Sequence, residues 1–120
     1  MDKYQAFQSF WSSFGIPAYD SLTVPDEAKP PYITYSTAED SLDASVPLTA
    51  NIWYLGDSWA DITAKEQQIS SRIGRGGAVV KYDEGAFWIV RRTPWAQRMD
   101  DPPNDRIRRI LLQFTIEYFE

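Results

Sequence analysis

The chain contains no histidine and no cysteine. Without histidine it lacks both the commonest general base at neutral pH and the commonest metal ligand, so Ser–His and Cys–His nucleophilic arrangements are excluded. Without cysteine there is no disulfide framework, no thiol nucleophile and no thiolate metal site. Folding then needs no oxidising compartment, which points to an intracellular origin. Long apolar runs are also missing. Met1-Asp2-Lys3-Tyr4 leads into an amphipathic segment carrying Gln5, Gln8 and Ser9, which reads as neither a signal peptide nor a membrane span. Positive charge is scarce: 12 Lys and Arg against 17 Asp and Glu leave a net charge of −5, which argues against a protein that wraps nucleic acid through its phosphates.

What is present is the make-up of one folded domain. A chain of 120 residues hides roughly two-thirds of its extended-chain surface on folding, enough for a single core. At 43% hydrophobic and 24% charged it lies outside the range of disordered sequences. Aromatic residues reach 15%, and rings of this kind serve cores and interfaces alike.

Phe7, Phe10, Trp11 and Phe14 follow the spacing of one helical face, which predicts a helix over residues 2–14, closed by Gly15 and Pro17. Residues 16–31 hold four prolines and read as an irregular connection. Two adjacent strands are expected at residues 32–36 and 46–55, joined by an acidic hairpin loop over 37–45 that carries Glu39, Asp40 and Asp43. Ser58 is placed to cap a second helix with a buried stripe of Ile62, Ile69 and Ile73, and Gly74 to end it in a left-handed conformation. A hairpin through Asp83-Glu84-Gly85 joins strands at 78–82 and 86–91. After a polar stretch over 93–105, a last strand spans 106–119, with Ile110, Leu112, Phe114, Ile116 and Tyr118 on one face. The expected fold is therefore α+β: a mainly antiparallel sheet of about five strands with two helices on one face, in the order α-β-β-α-β-β-β.

Chemistry-bearing clusters are few. Asp100, Asp101 and Asp105 offer oxygen ligands for Mg²⁺ or Ca²⁺, but their spacing matches no known loop motif and reads as a proline-broken surface loop. Gly74-Arg75-Gly76-Gly77 follows a helix and precedes a strand, the reverse of a phosphate-binding loop. No catalytic residue, metal or cofactor is expected. Of the tryptophans, Trp53 and Trp88 lie in strands and read as packed beneath helices or between subunits, whereas Trp95, beyond a strand end, is the better candidate for an exposed contact. Arg91, Arg92 and Arg98, with Arg106, Arg108 and Arg109 later, form the one basic concentration. Two readings stand for it: ordinary surface salt bridges, or a head-to-tail contact with the acidic loops of another copy, whose repetition closes a ring if the rotation allows. The candidate interface is then Glu39, Asp40, Asp43, Arg91, Arg92, Trp95, Arg98, Asp100 and Asp101.

Several segments, in this order and spacing, carry a resemblance that covers nearly the whole chain. They are Pro31-Tyr32-Ile33-Thr34-Tyr35, Pro47-Leu48-Thr49-Ala50-Asn51-Ile52-Trp53-Tyr54 and Ser58-Trp59-Ala60-Asp61-Ile62, followed by Tyr82-Asp83-Glu84-Gly85-Ala86-Phe87-Trp88-Ile89, Thr93-Pro94-Trp95-Ala96-Gln97-Arg98 and Arg108-Arg109-Ile110-Leu111-Leu112-Gln113-Phe114. In these the chain resembles the tail terminator (tail completion, or minor capsid neck) proteins of long-tailed bacteriophages. The resemblance implies a homohexameric ring, located in the virion and assembled in the host cytoplasm. Such a ring caps the tail tube protein, ends tube polymerisation and offers a surface to the neck, connector or head-completion protein, without catalysis. Genomic DNA would pass through a channel whose acidity prevents binding, with no membrane involved. A connector adaptor and a monomeric aromatic-rich binding module stand as the alternatives.

Overall fold

The computed structural model describes residues 1–37, 45–100 and 106–120. The first helix, α1, spans Lys3–Ser12 and starts on a reciprocal cap: the Asp2 carboxylate accepts from the Gln5 backbone N–H at 2.8 Å, and the Gln5 side chain accepts from the Asp2 N–H at 2.9 Å. Asp2 is thus the cap and not a helical residue. The helix stops two residues before Phe14, where the Ser13 hydroxyl donates to the Phe10 carbonyl and competes with the helical ladder. Phe14 stays buried all the same.

Next come β1 (Ala18–Asp20), β2 (Tyr32–Tyr35) and β3 (Val46–Leu55), then α2 (Ala60–Ile73), β4 (Ala78–Tyr82), β5 (Gly85–Met99) and β6 (Ile107–Phe119). All six strands join one sheet in the order β1-β2-β3-β6-β5-β4, with β1 parallel to β2 and every other pair antiparallel. The last strand sits at the centre, since β6 pairs with β3 along one side and with β5 along the other. Its alternation explains that position: Ile110, Leu112, Phe114 and Ile116 are all buried, and a strand with a wholly apolar face is best covered in mid-sheet.

Both helices cover the same face. Phe7 meets Tyr35 and Phe87 at ring-centroid distances of 6.0 and 4.9 Å, and Trp11 meets Tyr35 and Phe114 at 6.3 and 5.4 Å. Ile62, Ile69 and Ile73 of α2 complete the same core. α1 touches both β1 and β4, the two edges of the sheet, so the sheet curls round this helix and its other face is the outer one.

The architecture differs from the sequence expectation in three ways. A sixth strand, β1, lies within the stretch read as irregular. Its pairing with β2 is extended by Ile33 N–H to the Pro17 carbonyl at 2.8 Å and Ser21 N–H to the Tyr35 carbonyl at 2.9 Å, giving a mixed sheet. Extended, proline-rich backbone satisfied an existing edge, which no local periodicity reveals. Second, β5 continues to Met99 through what reads as a loop. The register jumps between Arg91, opposite Phe114, and Ala96, opposite Leu112, so residues 92–95 bulge out across Gln113, whose side chain donates to the Pro94 carbonyl at 3.1 Å. Third, Trp59 rather than Ser58 is the N-cap of α2, without a side-chain cap, although the Ser58 hydroxyl accepts from the Ala60 N–H at 3.0 Å. Gly74 has φ 76°, but ψ 175° takes it out of the left-handed helical region. Gly77, at φ 88°, admits no side chain, because a Cβ there would lie 2.6 Å from the Ile89 carbonyl oxygen. The loop expected over residues 37–45 lies, from 38 to 44, outside the described residues.

Trp11, fully buried under the sheet, should be the costliest single truncation. Trp11→Ala is expected to lose about 3–5 kcal/mol in urea unfolding, in line with large-to-small core changes. Alkaline pH should also unfold the chain. Burial, then the nearby Asp20 charge, pushes the Tyr35 phenol up to about 12, and burial, then Tyr4 and Glu120, does the same to Tyr118. A phenol whose folded pKa is raised contributes stability that is whole below the ordinary value of about 10 and is lost as pH climbs through the folded value. Thermal unfolding between pH 9 and pH 12 should therefore show a falling midpoint, shallower in Tyr35→Phe than in the parent.

Candidate functional site

The outer face of the sheet carries a row of side chains at right angles to the strands. Tyr32 is registered with Trp53, Trp53 with Arg109, and Arg109 with Met99, while Tyr19 packs edge-on against Tyr32 at 5.7 Å. Tyr32 and Trp53 lie 6.2 Å apart, and the Arg109 guanidinium stands 5.2 Å from the Trp53 ring centre. Polar anchors fix the row: Trp53 Nε1 donates to Thr34 Oγ1 at 3.0 Å and Arg109 to Asn51 Oδ1 at 2.8 Å. The five residues come from five strands, so the row follows the sheet register and moves only with it.

A cleft of about 310 Å³ opens at one corner, lined by Trp59, Arg98, Met99, Asp100, Ile107 and Arg108. The β3–α2 connection builds one wall and is tied to β6 by Gly56 N–H to the Arg106 carbonyl at 2.8 Å and by Arg108 to the Asp57 carbonyl at 3.2 Å. Trp59 stands between two cations: the guanidiniums of Arg98 and Arg108 lie 4.8 and 5.4 Å from its ring centre. Arg106 meets Asp57 at 3.5 Å beside the cleft. An indole held against two guanidiniums fixes their positions at little entropic cost, which suits a carboxylate-bearing ligand.

The residues expected at an interface are divided by this geometry. Arg91 shares the core face of β5 and donates to Ser70 Oγ of α2, so it serves helix packing. Arg92 is exposed in the bulge. Trp95 is half-buried and donates through Nε1 to Glu66 Oε1 of α2 at 2.7 Å, a structural contact where an exposed one was expected. Trp53 and Trp88 lie on the outer face and not beneath the helices, with Trp88 Nε1 bound to the Gly76 carbonyl at 3.0 Å; of the two placements expected for them, the one between subunits is compatible with that face. Arg98 and Asp100 belong to the cleft. Glu39, Asp40, Asp43 and Asp101 lie outside the described residues. Arg91, Arg92 and Arg98 therefore do not form one patch; Arg98 finds Arg108 in their place. The sequence names every one of these residues, but the juxtaposition of Trp59 with Arg98 and Arg108 depends on β5–β6 pairing across a bulge.

Among the described residues no group of three or more acidic side chains is placed to hold a metal ion, and no helix is long and apolar enough to cross a membrane. Comparison with known protein families, with curated proteins and with solved structures gives no match.

Removing the indole should loosen the corner. Trp59→Leu is expected to cost about 1–2 kcal/mol, from two cation–π contacts of roughly 0.5–1 kcal/mol each, whereas Trp59→Phe keeps an aromatic face and should lose less. Chemical denaturation of the two variants beside the parent measures the difference.

Proposed function

We propose that the chain is the repeating subunit of a ring that caps the tail tube of a long-tailed bacteriophage, ends tube polymerisation and presents a joining surface to the neck or connector. The observation that carries this reading is the one-sided construction of the subunit. Both helices seal one face of the sheet, and the other is left with a registered row of Tyr19, Tyr32, Trp53 and Arg109, the residue types that anchor protein interfaces. The resemblance of the ordered sequence segments to tail terminators supplies the identity of the ring and its partners. An α+β subunit with two helices on one face of a sheet agrees with the plan that resemblance implies.

In this role rigidity comes from the sheet and recognition from its corners and outer face. A terminator must fit the end of the tube while offering nothing to a further tube ring, so an asymmetric subunit is required. The net charge of −5 per copy lets DNA pass a channel built from such subunits without being held. A monomeric binding module is the second reading, favoured by the same half-buried aromatic row.

Two measurements test the proposal together. Native mass determination across a concentration series is expected to give a multiple near six, and phage assembled without the protein should carry overlong, uneven tails. A single-copy mass at every concentration together with tails of normal length would overturn the terminator reading. Normal tails beside unjoined, leaking heads would move the role to the connector.

A further inference from the structure

The outer face of the sheet carries a second apolar area, at the corner where β4 ends the sheet. Val79 stands opposite Trp88 and Trp88 opposite Glu117; two residues along, Lys81 stands opposite Ala86 and Ala86 opposite Phe119. Their chain neighbours Ala78, Tyr82, Phe87, Ile89 and Ile116 are buried in the core, so these six side chains share the outer side. Val79 is 58% exposed and Phe119 49%, and both are surrounded by sheet rather than by loop. Trp88 between them is fixed, because its Nε1 donates to the Gly76 carbonyl at 3.0 Å and the Gly77 turn lies so close that a Cβ there would meet that nitrogen at 2.5 Å. Clustered apolar side chains on a rigid surface, with an indole among them, are the make-up of a protein contact. Arg109 and Glu117 lie on the same strand, β6, about 26 Å apart at 3.3 Å per residue, so this corner is separate from the tyrosine–tryptophan row and from the cleft.

We propose that this corner is a two-fold contact between two copies of the chain, in which Lys81 of each copy meets Glu117 of the other across the apolar centre. The two charges occupy opposite corners of the patch: Glu117 is two strands in from Lys81 and two residues along, roughly 12 Å away at ordinary sheet spacings. Among the described residues neither side chain enters an ion pair, and Glu117 accepts only from the Ser45 hydroxyl, at 3.3 Å. A surface with a positive charge at one corner and a negative charge at the opposite one is complementary to itself turned over, which selects a second copy as the occupant. The axis lies between the two faces, crosses the midpoint of the Lys81–Glu117 line over β5 and runs perpendicular to that line. Both ion pairs then form at once. Val79 and Phe119, at the other two corners, fall close to the axis and face their own counterparts, and the strands of the two sheets cross steeply, as in orthogonal face packing.

Because the outer face is the convex side of the curled sheet, the copies touch at this corner alone. Such a contact lies at the small end of interfaces, under about 1,200 Å² in total, so the pair is weak, reversible and closed at two copies. It does not depend on the ring: the polar ring of a terminator contains no two-fold axis, and the outer row and the cleft stay free in the pair.

Sedimentation velocity over a concentration series up to millimolar protein tests the contact. The parent is expected to pass reversibly from one copy to two, and Lys81→Glu or Glu117→Lys alone should weaken that step about tenfold, since each sets two like-charged pairs in place of two ion pairs. An equimolar mixture of the two variants restores both ion pairs in the mixed species and should associate as tightly as the parent. A mixture no tighter than either variant alone, with both folded by circular dichroism, overturns the proposal, as does a parent without a two-copy species at any concentration. Six-copy particles with no two-copy species below them would sink the pair and leave the ring standing; pairs without six-copy particles would sustain the pair and count against the ring.

Discussion

The aromatic ridge of α1 is the wedge on which the rest of the structure depends. Phe7, Phe10 and Trp11 project from barely three turns of helix, Phe14 packs on Phe10 and Trp11 just past its end, and Trp11 alone meets rings from β2 and β6. Such bulk cannot lie on a flat sheet without leaving voids along the edges, and interiors tolerate few voids. The sheet answers by curling until both edge strands, β1 and β4, touch the helix. Ties at the rim hold that curl: Gln8 donates to the Ala18 carbonyl at 2.8 Å, and Lys3 meets Glu120 at 3.4 Å. All large-scale burial is thereby spent on one face. The outer face must make do with shallow packing, which is why Tyr19, Tyr32 and Trp53 remain partly accessible.

Curling leaves edges that could recruit other strands, and the chain blunts them. Val79 is exposed on β4, but Lys81 follows on the same solvent side. Beyond its β2 pairing, β3 offers Pro47, which has no N–H to give; on β5 the stretch past β4 carries Arg91, Arg92 and a proline bulge. With edges discouraged from backbone pairing, what the subunit offers a partner is its side chains. The two side-chain features with hot-spot chemistry are the outer row and the corner cleft, and both are set by the register of β6.

The sequence shows local order well and neighbours poorly. α1, α2, β3 and β6 are legible because each carries a full period of apolar positions. β1 is not, since three residues flanked by proline-rich chain have no period to read and become a strand only when Tyr32–Tyr35 stands beside them. The length of β5 is hidden by Pro94 and the bulge, which imitate a strand end. At the site, Arg98 is visible as a charge, but its company is not. Reading along the chain puts it with Arg91 and Arg92, yet Arg91 turns to Ser70, and pairing with β6 gives Arg98 the neighbours Trp59 and Arg108. Interface chemistry here is a property of register, which composition and spacing cannot supply.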